Sequence, residues 1–289
     1  MDIVTNYTFQ IIALGTALLA SVAAPVGALS VYKGQSLIGD AIGHATFPGI
    51  VLAFMAFSTR SPAVLLVGAM AAAAVTFFAI QAANENTRVG LNANLAIFLS
   101  GFFGLGMVLK SFIQGNADYR GASQAGLETY IFGQAAYMLE ADVKLIAFVA
   151  ALCAALLFAF YKELKVFVFD AEYARAAGLP VRLLQVLLPF LTIAVIGIGI
   201  KAVGAILISS FLIIPCVAAS QWSDDFSRVL FLSAVFGMAA ALAGAYVSTL
   251  AQGMSTGPSI ILAASAIAFL SMFFGKRGAF RKRGRREEA

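Results

Sequence analysis

Asp40 and His44 stand four residues apart in the stretch "LIGDAIGHATFPGIVLAF", Leu37 to Phe54, which is otherwise apolar. His44 is the only histidine in the 289-residue chain. On a helix, residues i and i+4 share a face, so this carboxylate and imidazole can converge on one ion. A carboxylate oxygen with a neutral imidazole nitrogen suits first-row divalent metals such as Mn²⁺, Fe²⁺ and Zn²⁺. Two side chains fall short of the four that a structural zinc site wants, and a weak, open site suits passage better than storage. An imidazole ligates only when neutral, so the metal reading carries the expectation that uptake falls in acid as His44 takes a proton. Pro48 lies one turn further on. A proline offers no N–H to the carbonyl four residues back, which here belongs to His44. That freed carbonyl is a path-shaping feature, able to line an ion route or hold a water. Two other readings share the spacing: a hydrogen-bonded Asp–His pair that locks two helices, and a proton relay.

The surroundings give the pair its weight. The chain is 61% hydrophobic and 11% charged, with mean hydropathy +0.93; a soluble domain carries about a quarter charged residues. The expected fold is therefore all-α, a polytopic membrane helical bundle in one domain over residues 1–275, with a basic tail over 276–289. Apolar runs fall near 9–31, 39–58, 62–82, 91–113, 142–161, 181–200, 203–221, 228–250 and 258–275, which predicts about 8–9 transmembrane helices. The first run follows "MDIVTNYTFQ", which has an acid and no basic segment, so it reads as a retained span rather than a secretory signal. Of the 14 acidic residues, 13 fall in loops, tails or span ends, while Asp40 stands at the head of an apolar span. A charge at the bilayer centre costs about 2.5–3.5 kcal/mol on insertion scales, so an ionisable group there faces the bundle or a watery cavity and has a use.

Lys and Arg set the expected orientation. With the tail "GKRGAFRKRGRREEA" in the cytoplasm and nine crossings, the N-terminus lies outside. The inner segments then hold Lys33, Arg88, Lys162, Lys165, Arg175, Arg182, Arg228 and seven tail residues, 14 in all. The outer ones hold five: Arg60, Lys110, Arg120, Lys144 and Lys201. The net charge of +5 thus reports topology. It gives no support to a nucleic-acid role, and anionic membrane lipid is the partner such a tail would meet.

Two connections carry further signals. In the outer segment 114–141, "GLETYIFGQAAYML" has the pattern of a short helix on or in the outer face. In the inner segment, "DAEYARAAG" reads as a short capped helix: Asp170 as N-cap, Glu172 in the first turn, Arg175 three residues on, and Gly178 before Leu179 and Pro180 as the stop. A short, charged, capped helix has the form of a docking element, and equally of an ordinary loop helix. Cys153 and Cys216 lie singly in apolar runs with no CxxC spacing, as buried inert thiols do. No GxxxxGK[ST] loop, HExxH pair or GxSxG elbow occurs, so no catalytic residue or cofactor-binding residue is assigned. Ser209 and Ser210 read as packing residues of an apolar helix.

Five ordered motifs resemble the integral-membrane permeases of bacterial manganese/zinc/iron ABC importers. They are "SLIGDAIGHATFPGIVLAF", "FDAEYARAAGLPV", "KAVGAILISSFLIIPCVAAS", "STGPSIIL" and "AGLETYIFGQAA", spread over about residues 10 to 275. The resemblance implies a multi-pass permease of the cytoplasmic membrane. It is paired with a second permease copy, driven by a cytoplasmic ABC ATPase subunit and fed by an extracytoplasmic metal-binding protein. It implies that Asp40 and His44 meet the metal in transit. It also implies that Asp170, Glu172, Arg175 and Gly178, within a cytoplasmic segment of about 165–180, couple to the ATPase. "AGLETYIFGQAA" is similar to the manganese branch, so Mn²⁺ is favoured over Zn²⁺ or Fe²⁺ as the transported ion. "YKGQSL" carries one Lys where relatives often show an Arg pair, and Cys216 stands where many have Ala. A stand-alone or proton-coupled secondary carrier is the alternative function. A permease for bulky metal chelates fits less well, since such cargo needs a wide path and no direct metal ligands.

Overall fold

A computed structural model describes residues 6–59, 61–116, 133, 135, 138–250 and 254–278. Among the described residues there are eleven helices and no strand. They are α1 (Tyr7–Tyr32), α2 (Ile38–Phe57), α3 (Pro62–Asn86), α4 (Leu91–Gly115), α5 (Glu140–Ala159), α6 (Tyr161–Phe169), α7 (Ala171–Ala176), α8 (Val181–Val203), α9 (Ala205–Ser220), α10 (Phe226–Leu250) and α11 (Thr256–Phe274). Eight are long and apolar enough to cross a membrane. The outer-segment helix expected within 114–141, including "GLETYIFGQAAYML", lies largely outside the described residues, as does most of the tail.

Local chemistry explains the ends. Asn6 caps α1 by accepting the Thr8 N–H at 3.0 Å, and Pro62 opens α3, where its missing N–H is no loss. Ser58, at φ 47°, closes α2 in the left-handed region. Between α8 and α9 the chain turns on a single residue, Gly204, at φ 91°. The backbone reverses there with almost no loop.

Contacts between connections define two ends of the bundle. At one end, Tyr32 packs edge-on to Phe169 and Phe226, and Tyr161 hydrogen-bonds Ser227 at 2.5 Å. There too Arg277 donates its N–H to the Gln221 carbonyl and pairs with Asp224. This end gathers the α1–α2, α5–α8 and α9–α10 connections and the close of α11, and with them Lys33, Lys162, Lys165, Arg175, Arg182, Arg228, Lys276 and Arg277. At the other end Phe9 meets Tyr246, and Gly133 abuts Val203 and Gly204. Eight basic residues therefore collect on one side, all of them among those the charge census puts inside. Helix α9 joins the two ends with only 16 residues, about 24 Å of helix. It is therefore shorter than the about 20 residues of a full crossing, although the sequence shows an apolar run at 203–221.

Helix α2 begins deep in the bundle. A Cβ on Gly27 of α1 would sit 1.9 Å from the Leu212 carbonyl oxygen, and one on Gly39 of α2 would sit 2.6 Å from Leu212 Cδ1. Gly27, Gly39 and Leu212 thus share one level. Leu212 is eight residues before the close of α9 at Ser220, about 12 Å by helical rise. The start of α2 is therefore sunk into the bundle. The α2 helix is wedged between α9 on one side and α3 and α4 on the other, and α1 runs through the centre against α9 and α10.

The cytoplasmic-type segment matches its expected pattern and adds to it. Asp170 caps α7 by accepting the Tyr173 N–H at 2.8 Å. Gly178, at φ 77°, donates to the Arg175 carbonyl, and Leu179 donates to that of Ala174. That pair of bonds closes a short helix with a left-handed glycine. The preceding nine-residue helix α6 was not foreseen, because "KELKVFVF" mixes charges with apolar residues and lacks a strong cap.

Candidate functional site

Asp40 is the third residue of α2 and His44 follows one turn later. The first turn of a helix carries unsatisfied N–H groups and positive potential, which favour a carboxylate there. In an apolar bundle this local field helps hold a charge that lipid would reject. His44 Nε2 lies 3.5 Å from Asp40 Oδ1, so the expected convergence of the two side chains on one face is present. The Asp40 side chain is 31% exposed and that of His44 15%, so the pair is half-sheltered rather than sealed.

Two other helices complete the site. From α9, the Ser209 hydroxyl donates to Asp40 Oδ1 at 3.0 Å. From α4, Phe103 meets the imidazole edge-on, with ring centres 5.0 Å apart, and also contacts Phe47. The reading of Ser209 as a packing residue is corrected here: its hydroxyl is a polar partner of the key carboxylate. The sequence hides this because the two residues are 169 positions apart, and a serine in an apolar helix usually bonds its own backbone. His44 Nδ1 is buried with no hydrogen-bond partner among the described residues. Such a group is costly to leave unmet, and a cation's water shell or a turned ring can satisfy it.

Pro48 packs against Gly106 of α4. A Cβ on Gly106 would lie 2.5 Å from Phe47 Cδ1 and 3.1 Å from the Pro48 nitrogen. Glycine at 106 lets α4 press directly on the proline turn. No cluster of three or more His, Cys, Asp or Glu occurs among the described residues, so the donor set remains the pair plus the Ser209 oxygen. Cys216 is not part of it: the thiol is packed among Ala28, Ala219 and Val229. Cys153 is buried in the main core. The docking-type residues are separate from the site. Glu172 and Arg175 are exposed on α7 and form no ion pair with each other among the described residues.

The arrangement offers one carboxylate, one imidazole and one hydroxyl, drawn from two helices and walled by an aromatic ring. It is too sparse for a permanent metal centre and apt for a passing ion.

Comparisons with known proteins agree with this form. The family model for the ABC 3 transport family matches residues 5–275. The zinc transport system membrane protein TroC of Treponema pallidum is 36% identical over 275 residues, covering 95% of this chain and 91% of that protein. The manganese transport system membrane protein MntC of Bacillus subtilis is 35% identical over 93% of this chain, which spans 61% of that longer protein. The solved PsaBC structure from Streptococcus pneumoniae in complex with Fab superposes at TM-score 0.82, with 27% identity and coverage of 97% of this chain and 96% of that one. The chain belongs to the ABC 3 transport family and is a multi-pass permease of the bacterial cytoplasmic membrane.

Proposed function

We propose that this permease moves a divalent transition metal into the cell, with Mn²⁺ the favoured ion and Zn²⁺ and Fe²⁺ its competitors. The single observation that carries the reading is the Asp40–His44–Ser209 constellation, three polar side chains converging inside helices that are otherwise apolar. Relatives named for zinc and for manganese transport support the metal class. The basic end of the bundle faces the cytoplasm in this reading. ATP is hydrolysed by a separate cytoplasmic ABC subunit, which docks on α7 through the surface around Glu172 and Arg175, with Asp170 and Gly178 fixing the helix ends. A second permease copy completes the path, and an extracytoplasmic binding protein delivers the ion to it.

The chemistry follows from the donors. Asp40 compensates charge and gives an oxygen, and neutral His44 gives a nitrogen. The Ser209 hydroxyl holds Asp40 Oδ1 while the site is empty and can turn an oxygen lone pair to the ion. The carbonyl freed by Pro48 adds an acceptor near His44. Motion of the ATPase passes through α7 and α6 to the helix ends and opens the inner side.

The test is cell-associated metal, by elemental analysis, in a deletion strain complemented with wild type, Asp40→Asn, His44→Ala or Pro48→Ala. Both site variants are expected at the deletion-strain level and Pro48→Ala between that level and wild type. Full accumulation of every metal by the two site variants would refute the site assignment, and wild-type uptake by Pro48→Ala would remove the carbonyl from it.

A further inference from the structure

Where α9 turns into α10 beside the close of α11, acids and bases are unevenly matched. Arg277 pairs with Asp224. Asp225 accepts the Ser227 N–H at 3.0 Å, and its other oxygen lies 3.8 Å from Arg228 Nε. Lys276 has no ion pair among the described residues. Beside these groups runs a groove of about 440 Å³, lined by Trp222, Ser223, Arg228, Leu232, Phe236 and Lys276. Its lining holds two cations and no acid. Arg228, Leu232 and Phe236 are successive i+4 steps on α10, so they form one stripe about 12 Å long. The stripe starts at the charged end and runs along a membrane-spanning helix. Leu232 and Phe236 rest on the cluster of Ala28, Cys216, Ala219 and Val229, which makes that wall firm. The Arg277 N–H on the Gln221 carbonyl, at 3.0 Å, holds the close of α11 beside the Trp222 turn. Trp222 is the single tryptophan of the chain, and indoles favour the boundary between lipid and water. The Ser223 hydroxyl accepts the Asp225 N–H at 3.1 Å, which leaves its own O–H to donate.

We propose that this groove holds one anionic phospholipid of the cytoplasmic leaflet, its head group between Arg228 and Lys276 and one acyl chain along Leu232 and Phe236. The leaflet follows from the orientation in the reading above; the site itself needs only a membrane boundary at this end of α10 and α11. Charge at one end and an apolar stripe running into the membrane is the outline of a phospholipid. A soluble anion would use the two cations and leave the stripe idle. The tail of this chain cannot fill the groove, because Arg277, Arg281, Lys282, Arg283, Arg285 and Arg286 repeat the sign of the lining. They add instead to the attraction for an anionic surface, and basic pockets between spans on the cytoplasmic side are where acidic head groups bind. A lipid held there bridges α10 to the close of α11.

The experiment uses the whole complex (permease pair, ATPase and binding protein) in phosphatidylcholine nanodiscs, with brominated phosphatidylglycerol or brominated phosphatidylcholine added in rising proportion. Bromine quenches a touching indole, and the Trp222 signal is isolated as the difference from the Trp222→Phe complex. Wild type is expected to prefer phosphatidylglycerol about twenty-five-fold, about fivefold for each of the two cations. Arg228→Gln and Lys276→Gln should each lose about fivefold of that preference, and the double variant should lose all of it. Arg182→Gln removes an exposed cation of the same end on α8 and should match wild type. Equal quenching by the two lipids in wild type, or an equal loss in Arg182→Gln, would overturn the site in favour of bulk lipid. Inorganic phosphate or glycerol phosphate that displaces the lipid would overturn it in favour of a free anion. An ATPase subunit lost from the double variant, with lipid preference unchanged, would make the groove a protein-docking surface instead. If Arg228→Gln fails to assemble, Lys276→Gln decides alone. The readings are taken without metal, so a failure of Mn²⁺ uptake in the same complex would sink the metal reading and leave the lipid site standing.

Discussion

The two polar regions of this permease are built in opposite ways. The intramembrane site has few groups: one acid, one imidazole and one hydroxyl, drawn from helices distant in sequence and walled by Phe103. The basic end around α6 and α7 has many charges, mostly exposed, held by local turns and caps. The contrast reflects the solvent each one meets. Water at the surface satisfies any charge, so the basic end tolerates loose placement and needs only a rigid shape. In the bundle a polar atom left without a partner is costly, so placement is set by backbone packing. Damage to packing should therefore ruin the site, while damage to a local cap should weaken coupling and leave the site alone.

The sharpest way to break that contrast is at Gly27. A methyl group there would collide with the Leu212 backbone, its carbonyl oxygen only 1.9 Å away. Backbone cannot rotate aside, so Gly27→Ala must push α9 off α1 and carry Ser209 away from Asp40. The expected loss is about 3 kcal/mol or more, the upper part of what overpacking costs, read as a fall in the thermal midpoint in detergent together with lost metal uptake. Gly39→Ala is the control. Its methyl would meet only the tip of the Leu212 side chain, at 2.6 Å, which can change rotamer. Its cost should stay near 1 kcal/mol, the low end of the same range. Equal midpoints for the two variants would refute the view that backbone contact sets the depth of α2.

Ser209→Ala comes next in size. It removes the donor to Asp40 Oδ1 and leaves the fold intact. Groups that orient a ligand typically change metal affinity by 10–100-fold, and a single neutral hydroxyl should sit at about tenfold. The measurement is the Mn²⁺ concentration for half-maximal uptake, with maximal rate and thermal midpoint close to wild type. Ser209→Thr keeps the hydroxyl and should restore most of the affinity. An unchanged half-maximal concentration in Ser209→Ala would return Ser209 to a packing role.

What the sequence reveals follows the same division. The apolar runs, the Asp170 cap, the Gly178 stop and the face shared by Asp40 and His44 are all local patterns, set by residues within a few positions of one another, and the structure has them. Ser209, Phe103 and the Gly27–Leu212–Gly39 level are not local. Each depends on which helix lies against which, and a glycine in an apolar run looks alike whether it touches backbone or lipid. Helix α6 was missed for another reason: its order comes from burying Leu164, Phe167 and Val168 against α1 and α8, and its own sequence carries charges between them. The same burial is what places Phe167 beneath Lys33, whose ammonium lies 4.2 Å from the ring centre.

The smallest effect is expected at Gly178. Its φ of 77° lies where a Cβ is strained, though nothing stands within 4 Å of an added methyl group. Gly178→Ala should therefore cost about 1 kcal/mol of purely conformational strain, felt by the two bonds that close α7 rather than by the bundle. The thermal midpoint of the permease should barely move, because α7 is a six-residue surface helix outside the main core. Metal affinity should match wild type, since no atom of the site touches this turn. In the coupling proposed for α7, what should change is the link to the ATPase. A frayed α7 presents Glu172 and Arg175 in several geometries, so ATP-driven uptake falls a few-fold while ATP hydrolysis continues. Measured side by side, uptake per ATP in Gly178→Ala and half-maximal Mn²⁺ in Ser209→Ala separate the two regions: each variant should move one quantity and leave the other. A shift of Mn²⁺ affinity in Gly178→Ala would mean that the docking helix reaches the metal site even at rest.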